Sequence, residues 1–175
     1  MANILILFSS TDGHTKKIGK RLKQVIEESS NHVTLVPVDD FRQVDLDFYD
    51  KIIIGASIRY GKHNPLVLDF INSHLQLLES KSNAFFSVNI VARKKEKNRP
   101  ETNPYMRKFL KQIAWRPKKL AVFAGKLDYP KYRFFDRLMI RLIMLMTKGP
   151  TDPSTVVEFT DWQKVDEFAH LVRDM

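Results

Sequence analysis

The 175-residue chain has no cysteine. Disulfides, thiol catalysis, cysteine-ligated iron–sulfur clusters and c-type haem attachment are thereby excluded, so redox chemistry has to come from a bound cofactor. Histidines number five and are scattered without ligand spacing, which suggests no metal site and no Ser-His-Asp triad. No run approaches the ~18 uninterrupted apolar residues of a spanning helix, and no basic region leads into an apolar signal core. A cytoplasmic location is expected. Glycine is sparse, and the turn at residues 9–15 holds one. Neither G-x-x-x-x-G-K-[ST] nor G-x-G-x-x-G can be read there, which disfavours nucleoside triphosphates and NAD. Acidic side chains are scarce in one block. Residues 1–92 hold ten basic and ten acidic side chains, residues 93–148 seventeen and four, and residues 149–175 two and six. The positive excess therefore lies in the middle. It calls for an anionic partner: nucleic acid, an anionic membrane surface or an acidic substrate. No nucleic-acid-binding module is recognisable, so nucleic acid is not expected.

The length suits one domain spanning residues 1–175. It is organised around its start, where the apolar run Ile4-Leu5-Ile6-Leu7-Phe8 enters the turn Ser9-Ser10-Thr11-Asp12-Gly13-His14-Thr15, followed by a helical pattern. The run predicts a strand buried on both faces. The turn offers backbone N–H groups, hydroxyls and a helix N-terminus to one phosphate, with Asp12 expected to cap the helix. Further strands are expected at Val33–Val38, Lys51–Gly55, Ala84–Asn89 and Leu120–Gly125. Helices are expected after Thr15, after Asn64-Pro65 as far as Leu78, after Asn103-Pro104, and after a capping box at Thr160-Asp161-Trp162-Gln163. This alternation predicts an open parallel sheet covered by helices on both faces. Ligands of such sheets sit beyond the strand carboxyl ends at the reversal of strand order. Ser9–Thr15, Ser57-Ile58-Arg59-Tyr60-Gly61 and the turn from Asn89 onward then become neighbours.

One segment breaks the pattern, an insertion at about residues 126–155 containing an apolar helix from Phe134 to Thr147. Arg133, Arg137, Arg141 and Lys148 share a stripe of about 80°, while Phe134, Phe135, Leu138, Leu142 and Leu145 belong to the apolar remainder. At ~14 residues, or ~21 Å, the helix is too short to span a bilayer but suits the headgroup plane. A cap of the domain or a dimer contact are the alternatives, and Met139, Met144 and Met146 would also suit an adaptable pocket.

Ser10-Thr11-Asp12-Gly13-His14-Thr15 resembles the [ST]-x-T-G-x-T loop with which flavodoxins hold the FMN phosphate, with Asp12 in place of the usual Thr. The resemblance implies a flavodoxin-like α/β fold: a doubly wound five-stranded parallel sheet of order 2-1-3-4-5, with a long helical insertion in the fifth strand. Ile54-Gly55-Ala56-Ser57-Ile58-Arg59-Tyr60-Gly61, Phe86-Ser87-Val88-Asn89, Val91-Ala92-Arg93-Lys94, Arg107-Lys108-Phe109-Leu110, Trp115-Arg116-Pro117, Tyr129-Pro130-Lys131-Tyr132-Arg133 and Asp136-Arg137-Leu138-Met139-Ile140 narrow it. These are similar to the bacterial menaquinone-dependent protoporphyrinogen IX dehydrogenases. The family implies FMN-dependent oxidation of protoporphyrinogen IX in haem synthesis, with electrons passed to a membrane quinone, menaquinone or ubiquinone. Ser9–Thr15, Ser57–Gly61 and Ser87, Val88 and Asn89 would hold FMN. Arg93, Lys94, Arg107, Trp115 and Arg116 would hold the substrate. The inserted helix would rest peripherally on an anionic membrane surface, on the cytoplasmic side of the inner membrane. No acid–base residue is identified, and oligomeric state is undetermined. A flavodoxin-type electron carrier or a quinone reductase docking at the membrane is the alternative, as is a binding module whose flavin site has decayed.

Overall fold

A computed structural model describes all residues from Met1 to Met175. Strand β1 (Asn3–Ser9) stays apolar up to its last residue because both its faces are covered, and Ile4 to Leu7 expose no surface. In chain order follow α1 (His14–Glu27), β2 (His32–Pro37), β3 (Lys51–Arg59), the short β4 (Lys62–His63), α2 (Pro65–Ser73), α3 (Leu75–Ser80), β5 (Ser82–Asn89), α4 (Pro104–Gln112) and β6 (Lys119–Ala124). The insertion then supplies β7 (Lys126–Asp128), α5 (Phe134–Met146) and β8 (Val156–Glu158), and α6 (Trp162–Arg173) closes the chain.

The main sheet runs β2-β1-β3-β5-β6 with every pairing along that path parallel, the doubly wound order that the flavodoxin resemblance implied. Pairs such as Leu5 with Ile52 and Ile54 with Phe85 fix the register. Two cores follow. One packs α2, α3 and α4 on one face through Phe70, Leu78 and Phe109, and the other packs α1 and α6 on the opposite face through Leu22, Ile26 and Phe168. Gly55 sits opposite Phe86, whose ring would lie 2.0 Å from a Cβ, so only glycine lets β3 and that ring coexist.

Four sequence expectations change. Asp12 does not cap α1: the N-cap is Gly13, in the left-handed region at φ 82°, with no side-chain hydrogen bond. Asp161 rather than Thr160 caps α6, accepting from the N–H groups of Gln163 and Lys164, because the Thr160 hydroxyl donates to the Ala124 carbonyl. The helix after Asn64-Pro65 breaks at His74, whose Nδ1 bonds the Phe70 carbonyl at 2.9 Å. Finally, the strand returning from the insertion does not extend the main sheet. β8 pairs antiparallel with β7 in a separate ribbon above a small core of Leu127, Tyr129, Tyr132 and Met144.

Candidate active site

At the carboxyl ends of β1, β3 and β5 a cleft opens to solvent. Its floor is the turn before α1. Ser10 Oγ and Thr15 Oγ1 are buried there without a hydrogen-bond partner in the protein. Buried hydroxyls are ordinarily satisfied, so two orphans beside the N–H groups that open a 14-residue helix mark a place built for an anion. Gly13 adds room, since nothing lies within 4 Å of where its Cβ would stand. A phosphate-bearing group fits these donors. His14, which also lines the cleft, is held at its Nε2: Thr160 Oγ1, committed as a donor to Ala124, accepts from it at 2.6 Å and ties α1 to the segment before α6. Burial pushes the His14 imidazole below its ordinary value, helped by Lys17 and Lys126 and opposed by Glu158.

Two loops wall the cleft. β3 and β4 form a hairpin whose two-residue turn is Tyr60-Gly61, with φ of 50° and 73°. That is the primed-turn geometry that a tight hairpin requires. Ser57, Ile58, Arg59, Tyr60 and Gly61 all line the cleft on this side. Opposite are Val88 and Asn89. Asn89 and Asn103 exchange side-chain hydrogen bonds at 3.0 and 3.3 Å, and the Asn89 carbonyl oxygen of the amide also accepts from the Ala92 N–H. Behind them, Ser87 is wholly buried against His63 Nε2 at 2.9 Å. Of the residues the sequence assigns to the cofactor, Ser9, Gly13 and Ser87 therefore support the cleft without lining it.

The insertion roofs the cleft, and little of that was legible beforehand. Met139, Ile140 and Ile143 present an apolar surface from α5, while Lys126, Asp128 and Lys131 form a charged rim in which Asp128 pairs with both lysines at 3.3 and 3.6 Å. Asp136, buried in the first turn of α5, accepts hydrogen bonds from Arg59 Nη2 and Tyr60 Oη. Its signal was an acid placed alone among apolar and basic neighbours. Asp12 is exposed by surface area, yet its carboxyl faces the concave mouth. Loss of water there pushes it above the usual carboxylate range; Asp136 and Asp128 add to this, while Arg59 and Lys131 oppose it. Of the three methionines, Met139 lines the cleft, Met144 is buried beneath α5 and Met146 is exposed.

The basic side chains between Arg93 and Arg116 do not line the cleft. Trp115 exposes no surface and packs edge-on against Phe85 in the core, so it cannot touch a ligand there. Arg116 closes the end of α4 by donating to the carbonyls of Leu110, Ile113 and Trp115. Arg93 donates to the carbonyls of Ile90 and Thr147 and to the Thr147 hydroxyl, anchoring the end of α5. Lys94 and Arg107 lie outside the cleft lining, Arg107 on the exposed side of α4. Periodicity could not foresee these assignments, because each depends on which carbonyls the fold leaves within reach.

The outward face of α5 is apolar. Phe134, Phe135, Leu138, Leu142, Leu145 and Met146 are all exposed, with Arg133, Arg141 and Lys148 at the borders. Arg137 leaves the expected stripe: it is half-buried, and its Nη2 donates to the Tyr132 carbonyl at 3.4 Å. No helix is long and apolar enough to cross a membrane.

Comparison with known proteins agrees with this geometry. Residues 5–154 match the family described as the flavodoxin domain. The chain is 46% identical over 168 residues to a protoporphyrinogen IX dehydrogenase [quinone] of Escherichia coli strain K12, covering 96% of this chain and 93% of that one. A protein of the same name from Leishmania major is 43% identical, over 94% of this chain and 72% of its own. Among solved structures, oxidised flavodoxin 1 of Bacillus cereus superimposes with a TM-score of 0.54 at 17% identity, over 99% of this chain and 98% of its own, a likeness of fold.

Proposed function

The chain belongs to the flavodoxin-domain family that includes the quinone-dependent protoporphyrinogen IX dehydrogenases, and from that premise we propose that it oxidises protoporphyrinogen IX to protoporphyrin IX in haem synthesis with FMN as cofactor. Electrons pass to a membrane quinone. The observation that carries the cofactor assignment is the pair of buried, unpartnered hydroxyls, Ser10 Oγ and Thr15 Oγ1, at the start of α1. Together with Thr11 and the first N–H groups of the helix, they would hold a terminal phosphate, and no second glycine fingerprint exists for the ADP half of FAD. When bound, FMN supplies the two-electron redox chemistry that no side chain of this cysteine-free chain offers.

The protein's own groups bind and orient. Ser57 to Gly61 and Val88 with Asn89 would flank the flavin ring, and the Asn89 amide is pre-set by Asn103 and Ala92. Met139, Ile140 and Ile143 give the cleft an apolar wall suited to a flat macrocycle and keep water from it. Lys126, Lys131 and Arg59 are the cations at the cleft, and they replace Arg93, Lys94, Arg107 and Arg116 as candidates for the substrate's carboxylates.

The outward face of α5 would lie on an anionic membrane surface, peripheral and on the cytoplasmic side, where a lipid-embedded quinone is reachable. Phe134, Phe135, Leu138, Leu142 and Leu145 would enter the headgroup boundary, with Arg133, Arg141 and Lys148 against anionic lipid. The test is anaerobic mixing of FMN-loaded protein with protoporphyrinogen IX. Bleaching of the flavin absorbance with matching growth of the porphyrin bands is expected. Flavin that binds but stays oxidised would assign the chain to the electron carriers instead.

A further inference from the structure

We propose that Asp136 is a positioning residue for the redox site, the carboxylate through which helix α5 sets where Arg59 and Tyr60 stand at the mouth of the cleft. This rests on the flavin reading above and extends it to a residue to which the sequence assigned no role. Asp136 is nearly buried in a helical turn whose other members, Phe134 and Phe135, are exposed. Such a carboxylate needs partners, and it has two: Arg59 Nη2 donates to one oxygen and Tyr60 Oη to the other. Both donors come from the hairpin, Arg59 at the end of β3 and Tyr60 in the turn, 77 and 76 residues away in sequence. Tyr60 is a non-glycine residue at φ 50°, a conformation that persists where its surroundings over-determine it. The tight hairpin sets that backbone, and the contact across the cleft to Asp136, with the Arg59 guanidinium 5.4 Å over the Tyr60 ring, holds the side chain.

The pair also balances charge where it matters. Arg59 and Asp136 both line the cleft, and together they are neutral. Loss of the carboxylate alone would free a guanidinium beside the cofactor and favour the reduced, more negative flavin. Loss of the guanidinium alone would do the reverse. A helix whose outward face meets a partner is thereby joined to the turn that flanks the flavin, by one side chain.

The experiment measures flavin affinity and midpoint potential in Asp136→Asn and Tyr60→Phe. For Asp136→Asn, the affinities for FMN and for riboflavin, which lacks the phosphate, should fall by the same factor, on the order of ten, because the phosphate end is untouched. The potential of the bound flavin should rise by about 30 mV, a tenfold change in a two-electron equilibrium. Tyr60→Phe should weaken both flavins without moving the potential, and the double variant should lose less than the sum of the two. A purely structural role would lower the melting temperature and leave the potential alone. Unchanged potential and riboflavin affinity in a folded Asp136→Asn protein would overturn the proposal. If that variant does not fold, Arg59→Gln, on the exposed partner, decides: the potential should drop, and constancy overturns the idea. Wild-type protein that takes up neither flavin would sink the cofactor reading and this inference together. A wild type that binds flavin but leaves porphyrinogen unoxidised removes only the substrate reading.

Discussion

The parallel sheet and the inserted segment treat apolar residues in opposite ways. In the sheet, Ile4 to Leu7 and Ile52 to Ile54 are sealed from solvent, within cores of 19 and 16 buried residues. The insertion has four buried residues in its core, while Phe134 and Phe135 are each 73% exposed and Met146 77%. Packing accounts for the first region and leaves the second unexplained, and contiguous apolar surface of that kind marks a surface that meets something else. One chain thus holds a scaffold that buries its own apolar residues and a segment that leaves six of them exposed on the outward face of α5. Magnitudes say what dominates at that surface. Six exposed side chains, at roughly 1.5–3 kcal/mol each when fully buried, outweigh three cations at about 1 kcal/mol each even if burial is partial. Apolar insertion would set affinity, and the cations would set preference for anionic lipid.

The comparison breaks most readily at α5. Replacing Phe134 and Phe135 together by Ser should lower liposome affinity by roughly 3–6 kcal/mol in flotation assays while the melting temperature holds; a large fall in melting temperature instead would mean that the face is part of the fold. Trp115→Ala makes the opposite statement. As a buried indole of the sheet core it should lose about 3–5 kcal/mol of unfolding free energy by urea titration, and weak destabilisation with lost porphyrin binding would restore it to the substrate site. Changing Arg133, Arg141 and Lys148 to Gln should remove about 3 kcal/mol of affinity for anionic vesicles and nothing for neutral ones, with FMN binding intact. Equal binding to both vesicle types by parent and variant would exclude the cations from the contact. Thr15→Val belongs to the sheet end and should weaken FMN by roughly 1.5–3 kcal/mol, leaving liposome binding alone. Isothermal titration with FMN and with riboflavin checks this, since only FMN should respond.

The smallest effect is on pH. Burial pushes the His63 imidazole down to about 4, so in the folded state it stays neutral well below the 6.5 of the exposed group. The unfolded chain therefore takes up the proton first as pH falls. The contribution is close to full above about pH 7 and declines toward 4, by about 1.2 kcal/mol between pH 7 and pH 5.5. His63→Phe, which suits the neighbouring Phe85 and Phe109 rings, should flatten that slope. An unchanged slope would place the acid sensitivity elsewhere.

Much of the site was readable because it is local. The turn from Ser10 to Thr15 and the walls at Ser57 to Gly61 and Val88-Asn89 follow strand ends, and strand order brings strand ends together. What the basic side chains between Arg93 and Arg116 do was not readable. A run of lysines and arginines looks the same whether it meets a ligand or caps a helix, and Arg93 and Arg116 spend their donors on backbone carbonyls. Asp12 likewise has the composition of a cap, but Gly13 takes that position and leaves the acid at the cleft.

What the sequence alone determined is where the strands lie, the hydroxyl-rich turn before α1 and the apolar helix of the insertion, because periodicity and turn chemistry act within a few residues of one another, while the strand order came from the resemblance to a known family. Tertiary structure decided which groups meet across the cleft. Asp136 reaches Arg59 and Tyr60, Lys126 and Lys131 share Asp128 at the rim, Arg137 folds inward and Trp115 disappears into the core. Contacts over such separations depend on where packing sets the insertion, and packing is a property of the whole core rather than of any stretch of the chain.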